Sequence, residues 1–183
     1  MRKVIAGMAL LLTLSACGED GTDTAPTAPA SSEPAAVEQP SDPAEKPTRP
    51  EPEQTAEGAE AYTDYVIRML AYTLATPDRE SILDEARGEC APCATVAQTG
   101  MGLGDEVYAY SGPLTIDIED AKVTDDTATV RASFRAPSAQ ILDPQTNVVS
   151  GEFPAESSEF DYHLQWVDGS WKVRTWTLPG QAP

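Results

Sequence analysis

The apolar positions between residues 55 and 76 repeat with the spacing of an amphipathic α-helix. Steps of three and four residues put one set of side chains on a single face: Tyr62, Tyr65, Val66, Met69, Leu70 and Thr73. Thr55 is a suitable cap for the first turn, with Glu57 in the favourable position after it. The pattern therefore predicts a long helix that begins near Thr55 and ends before Pro77, which cannot continue it.

Two shorter helices are predicted next. Thr76 and Pro77 have the residue types of a helix cap and a first helical position, and Gly88 would end the helix. Its apolar residues have helical spacing: Ile82, Leu83 and Ala86. Residues 94–103 predict a third short helix, which a cluster of glycines ends: Gly100, Gly102 and Gly104.

After residue 110 the hydrophobic period changes from that of a helix to that of a strand. Apolar and polar residues alternate over 114–119 and over 128–135, with a turn expected at 124–126. Residues 138–158 are less regular, and Pro144 and Asn147 indicate a loop within a hairpin at a sheet edge. Alternation of this kind is typical of half-buried antiparallel strands.

The strongest hairpin pattern comes last, with Asp168-Gly169 as its two-residue turn. One face of its first strand carries Phe160, Tyr162, Leu164 and Trp166. The returning strand presents Trp171, Val173 and Thr175, which places Trp176 on the opposite face. Helices followed by strands predict an α+β domain, with the helices packed on one face of a curved antiparallel sheet.

The N-terminus has the pattern of an export signal. Arg2 and Lys3 precede an apolar stretch that is shorter than the roughly 20 residues needed to span a bilayer. The sequence Leu-Ser-Ala-Cys, ending at Cys17, resembles the bacterial lipobox. It predicts that residues 1–16 are a lipoprotein signal peptide and that Cys17 carries acyl chains, which anchor the protein on the extracytoplasmic side of the cell membrane. An ordinary secretory signal is the alternative.

Residues 17–54 are predicted to be the lipidated cysteine and a disordered tether. They are rich in Pro, Ala, Thr, Ser and Glu and have almost no large apolar residue that could offset the entropy of ordering. Residues 55–183 then form one α+β domain, since the remaining length suits a single core.

The chain has three cysteines. Assigning Cys17 to the lipid leaves Cys90 and Cys93 as a Cys-x-x-Cys pair in an oxidising compartment. A structural disulfide is the favoured interpretation, because Glu85 and Glu89 nearby disfavour a thiolate. A redox-active dithiol and a zinc site are the alternatives, although zinc would need further ligands and His163 is the one histidine.

The stretch EGAEAYTDYVIRMLAYTLATPDRESILDEARGECAPC and the closing LQWVDGSWKV resemble an uncharacterised actinobacterial lipoprotein family, domain of unknown function 6318. The resemblance covers roughly residues 50 to 180. It implies the cone of the nuclear transport factor 2-like fold, which is also found in ketosteroid isomerase. It implies no activity and no catalytic residues.

Two sets of residues in the last hairpin are candidates for chemistry. Asp161 and His163 share a strand face and resemble the Asp–His pairs that abstract protons in enzymes of this fold, although a solvated sheet face is the favoured interpretation. The aromatic residues of the hairpin are candidates for lining a ligand pocket between sheet and helices, with core packing as the alternative: Trp166, Trp171 and Trp176, with Phe160 and Tyr162.

Charge and motif content narrow the function further. The net charge of −18 disfavours nucleic acid as a partner. No cofactor or metal motif is recognisable. The sequence therefore predicts a membrane-anchored cell-envelope lipoprotein with a non-enzymatic domain, which binds an unidentified envelope protein or small ligand. The alternative is an isomerase- or dehydratase-type enzyme that uses the interior of the cone.

Overall fold

The computed structural model of the protein describes residues 42–86 and 90–183. The predicted signal peptide, the lipidation of Cys17, the tether as far as residue 41 and the closure of a helix at Gly88 lie outside these ranges. Within them, no helix combines the length and the apolar character that crossing a membrane requires.

In the described part of the chain, three helices come first: α1 (Ala56–Ala75), α2 (Ser81–Ala86) and α3 (Ala91–Gly102). The predicted long helix is confirmed at its start, where Thr55 Oγ1 accepts a hydrogen bond from the N–H of Gly58 at 3.0 Å. Helix α2 begins later than predicted. The carboxylate of Asp78 accepts hydrogen bonds from the backbone and side chain of Ser81, which holds residues 77–80 in a turn.

Seven antiparallel strands follow the helices: β1 (Val107–Tyr110), β2 (Thr115–Thr124), β3 (Thr127–Ala136), β4 (Ala139–Leu142), β5 (Val149–Phe153), β6 (Glu156–Val167) and β7 (Ser170–Thr177). They form a three-stranded sheet, in the order β1-β4-β5, and a four-stranded sheet, in the order β2-β3-β6-β7. The long strands of the second sheet provide the surface on which the helices pack.

The predicted hairpins are confirmed. Asp168 and Gly169 both have positive φ, 51° and 75°, as a tight two-residue turn between twisted strands requires. Within the irregular stretch, residues 139–153 form the hairpin β4–β5 at a sheet edge, with Pro144 and Asn147 in its loop. Strand β1 was not predicted, because its four residues are too few to establish an alternating pattern.

A β-bulge in the last hairpin changes which tryptophans share a face. The register of β6 and β7 shifts between His163 and Leu164, so that His163 pairs with Thr175 and Tyr162 with Trp176. The extra residue turns the end of β7 over by one position. Trp176 therefore lies on the inner face, in ring contact with Tyr162, and the expectation from simple alternation is wrong.

The core lies between α1, α3 and the inner face of the four-stranded sheet. Its most deeply buried large side chains come from α1, α2 and strands β3, β6 and β7: Val66, Met69, Ile82, Val130, Tyr162, Leu164, Trp171 and Val173. They include the inward-facing positions that alternation along β3, β6 and the start of β7 predicts.

Residues 42–54, which we call the N-terminal strap, lie against the domain. Lys46 Nζ is 3.1 Å from a carboxylate oxygen of Asp78, and Arg49 is 3.2 Å from one of Glu85. The carbonyl of Glu53 accepts a hydrogen bond of 2.7 Å from Trp171 Nε1. For these residues the predicted disorder is therefore wrong, and the ordered domain begins by Asp42 rather than at residue 55.

Candidate functional site

Asp161 and His163 lie on the outer face of the four-stranded sheet. Asp161 accepts two hydrogen bonds from Arg131, at 2.9 and 3.1 Å, and one from the backbone N–H of Gly180. Arg131 is the main reason that the pKa of Asp161 is lowered. This carboxylate is held ionised by a fixed partner, which makes it unsuited to removing a proton from a ligand.

The His163 ring lies between two hydroxyl groups of the same outer face. Its Nε2 is 3.0 Å from Thr177 Oγ1, and its Nδ1 is 3.4 Å from Thr129 Oγ1. Partial burial lowers its pKa, against the opposite effect of Asp161. Neither His163 nor Asp161 lines the interior of the domain, so the hypothesis that they line a ligand site is not supported by their positions.

Trp166 and Trp171 pack against each other, with ring centroids 5.1 Å apart and nearly perpendicular planes. Trp171 is 1% exposed, and its indole N–H donates a hydrogen bond to the carbonyl of Glu53 in the strap. These two tryptophans are therefore core and strap contacts. Like Asp161 and His163, they were predicted as ligand-lining residues and are not in the wall of the cavity described next.

An apolar cavity of about 320 Å³ lies between the helices and the two sheets. Its wall includes residues of α1, α3, β1, β3 and β6. Three of the aromatic candidates in the last hairpin lie in this wall: Phe160, Tyr162 and Trp176. The cavity's other aromatic residues were not predicted to line it: Phe134, from the predicted strand β3, and Tyr108, Tyr110 and Phe153, from the short strands β1 and β5. Tyr108, Tyr110 and Phe153 lie on strands of four or five residues, which are too short to establish an alternating pattern.

Few polar groups line this cavity, and three of them are tyrosines: Tyr108, Tyr110 and Tyr162. Desolvation raises the pKa of all three, and the neighbouring Glu156 carboxylate adds to the effect on Tyr110. They therefore remain protonated donors at neutral pH. Among the described residues, none accepts a hydrogen bond from the hydroxyl of Tyr110 or Tyr162, which leaves these donors for a ligand.

A second hollow, of about 500 Å³, lies between the strap and α1. Its wall is rich in charged side chains that already pair within the protein. Arg68 binds Asp64 at 2.7 Å, and Lys46 binds Asp78. We assign ligand binding to the smaller apolar cavity, because ligand sites are mostly apolar with a few polar groups.

Cys90 and Cys93 form a disulfide, which confirms the favoured interpretation. Helix α3 begins three residues earlier than predicted, at Ala91. Cys90 caps it, since its sulfur accepts a hydrogen bond from the N–H of Cys93 at 3.1 Å. Each cysteine is 1% exposed. A dithiol enzyme needs an accessible attacking sulfur, so burial favours the structural role.

Replacing both cysteines with serine is expected to lower the free energy of unfolding by about 2 kcal/mol, because the closed loop is very short. Serine at residue 90 can still cap α3, which isolates the contribution of the bond. Thermal unfolding with and without dithiothreitol measures it, and the reductant should destabilise the parent but leave the double-serine variant unchanged. Equal stability of the two proteins, with insulin-reducing activity in the parent, would contradict the structural role.

Metal binding has no support in the described part of the chain. There, no group of three or more His, Cys, Asp or Glu side chains is arranged to hold an ion. The cavity, with one carboxylate and several phenolic hydroxyls, is suited to holding an organic molecule through apolar contact and a few hydrogen bonds.

Three helices packed on antiparallel strands around an apolar cavity define the molecule as an α+β cone with an interior site. The chain belongs to the Family of unknown function (DUF6318), whose model matches residues 30–177. The predicted α+β fold class, with N-terminal helices packed on antiparallel strands, is confirmed. No curated protein matches the sequence.

Solved structures resemble this fold at low sequence identity. The intermembrane space region of the chloroplast protein ARC6 has a TM-score of 0.51 at 16% identity, covering 69% of this chain and 97% of that one. Looser matches are Kfla4162 from Kribbella flavida (TM-score 0.40, 14% identity, 66% and 90% coverage) and a candidate scytalone dehydratase from Novosphingobium aromaticivorans DSM 12444 (0.41, 16%, 66% and 93%). At these identities a resemblance shows the fold alone.

Proposed function

We propose that the protein is a membrane-anchored cell-envelope lipoprotein whose domain binds a small apolar ligand in the interior cavity without transforming it. The observation that carries the binding role is the cavity itself. It has about 320 Å³ of space, a largely apolar wall and phenolic donors with no described acceptor in the protein. A preformed pocket of this kind is the usual site for a small molecule.

The positions of the titratable groups favour binding over the isomerase or dehydratase alternative. Proton abstraction needs a base within hydrogen-bond reach of the ligand. Asp161 is paired with Arg131 on the outer sheet face, and His163 lies beside it. Among the described residues, the one carboxylate of the cavity wall is Glu156, which is exposed to solvent and accepts a hydrogen bond from Ser158 at 2.8 Å. No histidine or second carboxylate of the described residues lines the wall beside it, so the wall lacks the acid–base pair that these reactions use.

Filling the cavity is expected to weaken the binding of a neutral apolar probe, N-phenyl-1-naphthylamine, at least tenfold. Ala136 lies in the cavity wall, so the Ala136→Phe side chain would occupy the space that the probe needs. The measurement is a fluorescence titration of the purified protein with the probe.

Ser133→Phe is the matched control, because it adds similar bulk to the same strand. Ser133 lies outside the cavity wall, in a surface hollow that it shares with Arg135 and Glu159. Circular dichroism should show both variants folded. Equal weakening by both variants, or none by either, would contradict binding in the cavity.

Membrane anchoring rests on the sequence Leu-Ser-Ala-Cys and on the proline-rich segment that follows it. In Cys17→Ser the thiol that would receive the lipid is missing, so the protein is expected to move almost entirely from the membrane fraction to the soluble fraction of the cells. Fractionation followed by immunoblotting measures this. Unchanged membrane association of the Cys17→Ser variant would refute the anchor.

A further inference from the structure

Aromatic rings form much of the cavity wall. Seven contribute to it: Tyr108, Tyr110, Phe134, Phe153, Phe160, Tyr162 and Trp176. They pack in pairs, with centroids 4.9 Å apart for Tyr108 and Phe153 and 5.6 Å apart for Tyr162 and Trp176. The face of an aromatic ring carries negative electrostatic potential, and it attracts a cation within about 6 Å of its centroid.

The charge of the cavity wall has one sign. Among the residues that the structure describes, Glu156 is the one carboxylate of the wall, and no lysine or arginine lines it. Glu156 is exposed at the rim of the cavity, where it pairs with Ala136 in the register of β3 and β6, and its Oε1 accepts a hydrogen bond from Ser158. The chain as a whole has a net charge of −18, which attracts cations to its surface and repels anions.

Together these features discriminate between ligands of the same shape. An anion entering the cavity would lose its hydration and meet a carboxylate, with no cation in the wall to compensate it. A neutral molecule would gain apolar contact alone. A weakly hydrated cation, such as an alkylated ammonium, would gain apolar contact, attraction to the ring faces and attraction to Glu156.

We propose that the cavity takes an apolar ligand with an alkylated ammonium group. This inference rests on the proposed function, because it specifies the ligand class of the same cavity. The aromatic side chains enclose the alkyl groups, and the Glu156 carboxylate balances the charge. The hydroxyls of Tyr110 and Tyr162 are donors and therefore bind other, acceptor atoms of the ligand.

Three probes of nearly identical shape test the inference. Benzyltrimethylammonium is cationic, neopentylbenzene is its neutral carbon isostere, and phenylmethanesulfonate is a tetrahedral anion on the same benzyl group. Each is titrated into the purified protein to displace N-phenyl-1-naphthylamine. The cation is expected to bind at least tenfold more tightly than the neutral isostere, and the anion more weakly than either.

Glu156→Gln tests the role of the carboxylate while preserving its size and its hydrogen bond with Ser158. This substitution is expected to lower the affinity for benzyltrimethylammonium about three- to tenfold and to leave the affinity for neopentylbenzene unchanged. Glu152→Gln is the matched control, because it removes the same charge from β5, outside the cavity wall. Glu152→Gln should leave both affinities unchanged.

The outcomes separate this inference from the proposed function. If neopentylbenzene displaces N-phenyl-1-naphthylamine with the same affinity as benzyltrimethylammonium, the cavity binds apolar ligands but the proposed ligand class is wrong. The same conclusion follows if Glu152→Gln lowers the affinity for benzyltrimethylammonium by as much as Glu156→Gln does. If the reporter itself does not bind, the proposed function fails, and this inference fails with it.

Discussion

Replacing Glu85 with leucine is expected to lower the free energy of unfolding by about 3–5 kcal/mol, because removing one member of a buried charge network takes an interaction away from every group that contacts it. The Glu85 side chain is 11% exposed. Its oxygens accept hydrogen bonds from Tyr65 at 2.9 Å and from Tyr62 at 3.4 Å. Leucine has a similar volume, so the effect would come from the lost carboxylate.

Two cationic side chains also contact Glu85, and they contribute unequally to the expected loss of stability. Lys172 Nζ is 3.9 Å away, and its side chain is 13% exposed, so its charge would lose a partner in a poorly hydrated place. Arg49 is 37% exposed and remains partly hydrated, so its share of the loss is smaller. Because Arg49 belongs to the strap, the variant should also loosen residues 42–54.

Chemical denaturation measures the loss in Glu85→Leu, and Asp84→Leu is its control on the same helix. Asp84 is exposed, so its replacement should change the free energy of unfolding by less than about 0.5 kcal/mol. Faster hydrogen exchange of the amides of residues 42–54 would show that the strap is loosened in Glu85→Leu. If Glu85→Leu were no less stable than Asp84→Leu, Glu85 would not be the centre of a stabilising network.

Replacing Trp171 with alanine is expected to cost about 3–5 kcal/mol of stability, the usual range for truncating a buried large aromatic side chain. Trp171 is 1% exposed and packs edge-on against Trp166. Its indole N–H also holds the strap through the carbonyl of Glu53. The variant therefore loses both core packing and the contact that fixes the strap beside α1.

Trp171→Phe separates stability from ligand binding, since it keeps a ring but removes the N–H donor. It should lower the free energy of unfolding by about 1–2 kcal/mol and leave the affinity for N-phenyl-1-naphthylamine unchanged. Equilibrium denaturation and probe titration on the same preparation give both values. A tenfold loss of affinity in folded Trp171→Phe would contradict the assignment of Trp171 to the core and restore it as a ligand contact.

The sequence predicts those parts of the fold that local pattern determines. Thr55, the apolar face of α1 and Pro77 locate the long helix, and Asp168-Gly169 locates the last hairpin. Each of these signals acts within a few residues along the chain. The α+β class followed from them, because helices and antiparallel strands with one apolar face each must pack together.

The candidate site was predicted less well, for physical reasons that concern long-range contacts. A bulge at His163 moves Trp176 into the cavity wall, and alternation along the strand cannot reveal a register shift between two strands. Tyr108 and Phe153 meet in the wall from short strands that are far apart in sequence. Asp161 is turned away from the cavity by the same alternation that buries Tyr162.

The N-terminal strap shows the same limit. Its proline-rich composition is that of a disordered segment, and it has no core of its own. The contacts that order it come from the turn before α2, from α2 and from β7, through Asp78, Glu85 and Trp171 respectively. No pattern within residues 42–54 could have indicated these partners, because each of them lies at least 30 residues away along the chain.

The most direct test of the cavity as the ligand site is to locate the bound probe by nuclear Overhauser effects. We predict contacts between N-phenyl-1-naphthylamine and the methyl groups of the wall, from Ile67, Leu70 and Val96. The exposed Val148 and Val149 offer the competing apolar surface, since they are 63% and 44% exposed. Contacts to these two valines, with none to the three wall residues, would contradict binding in the cavity.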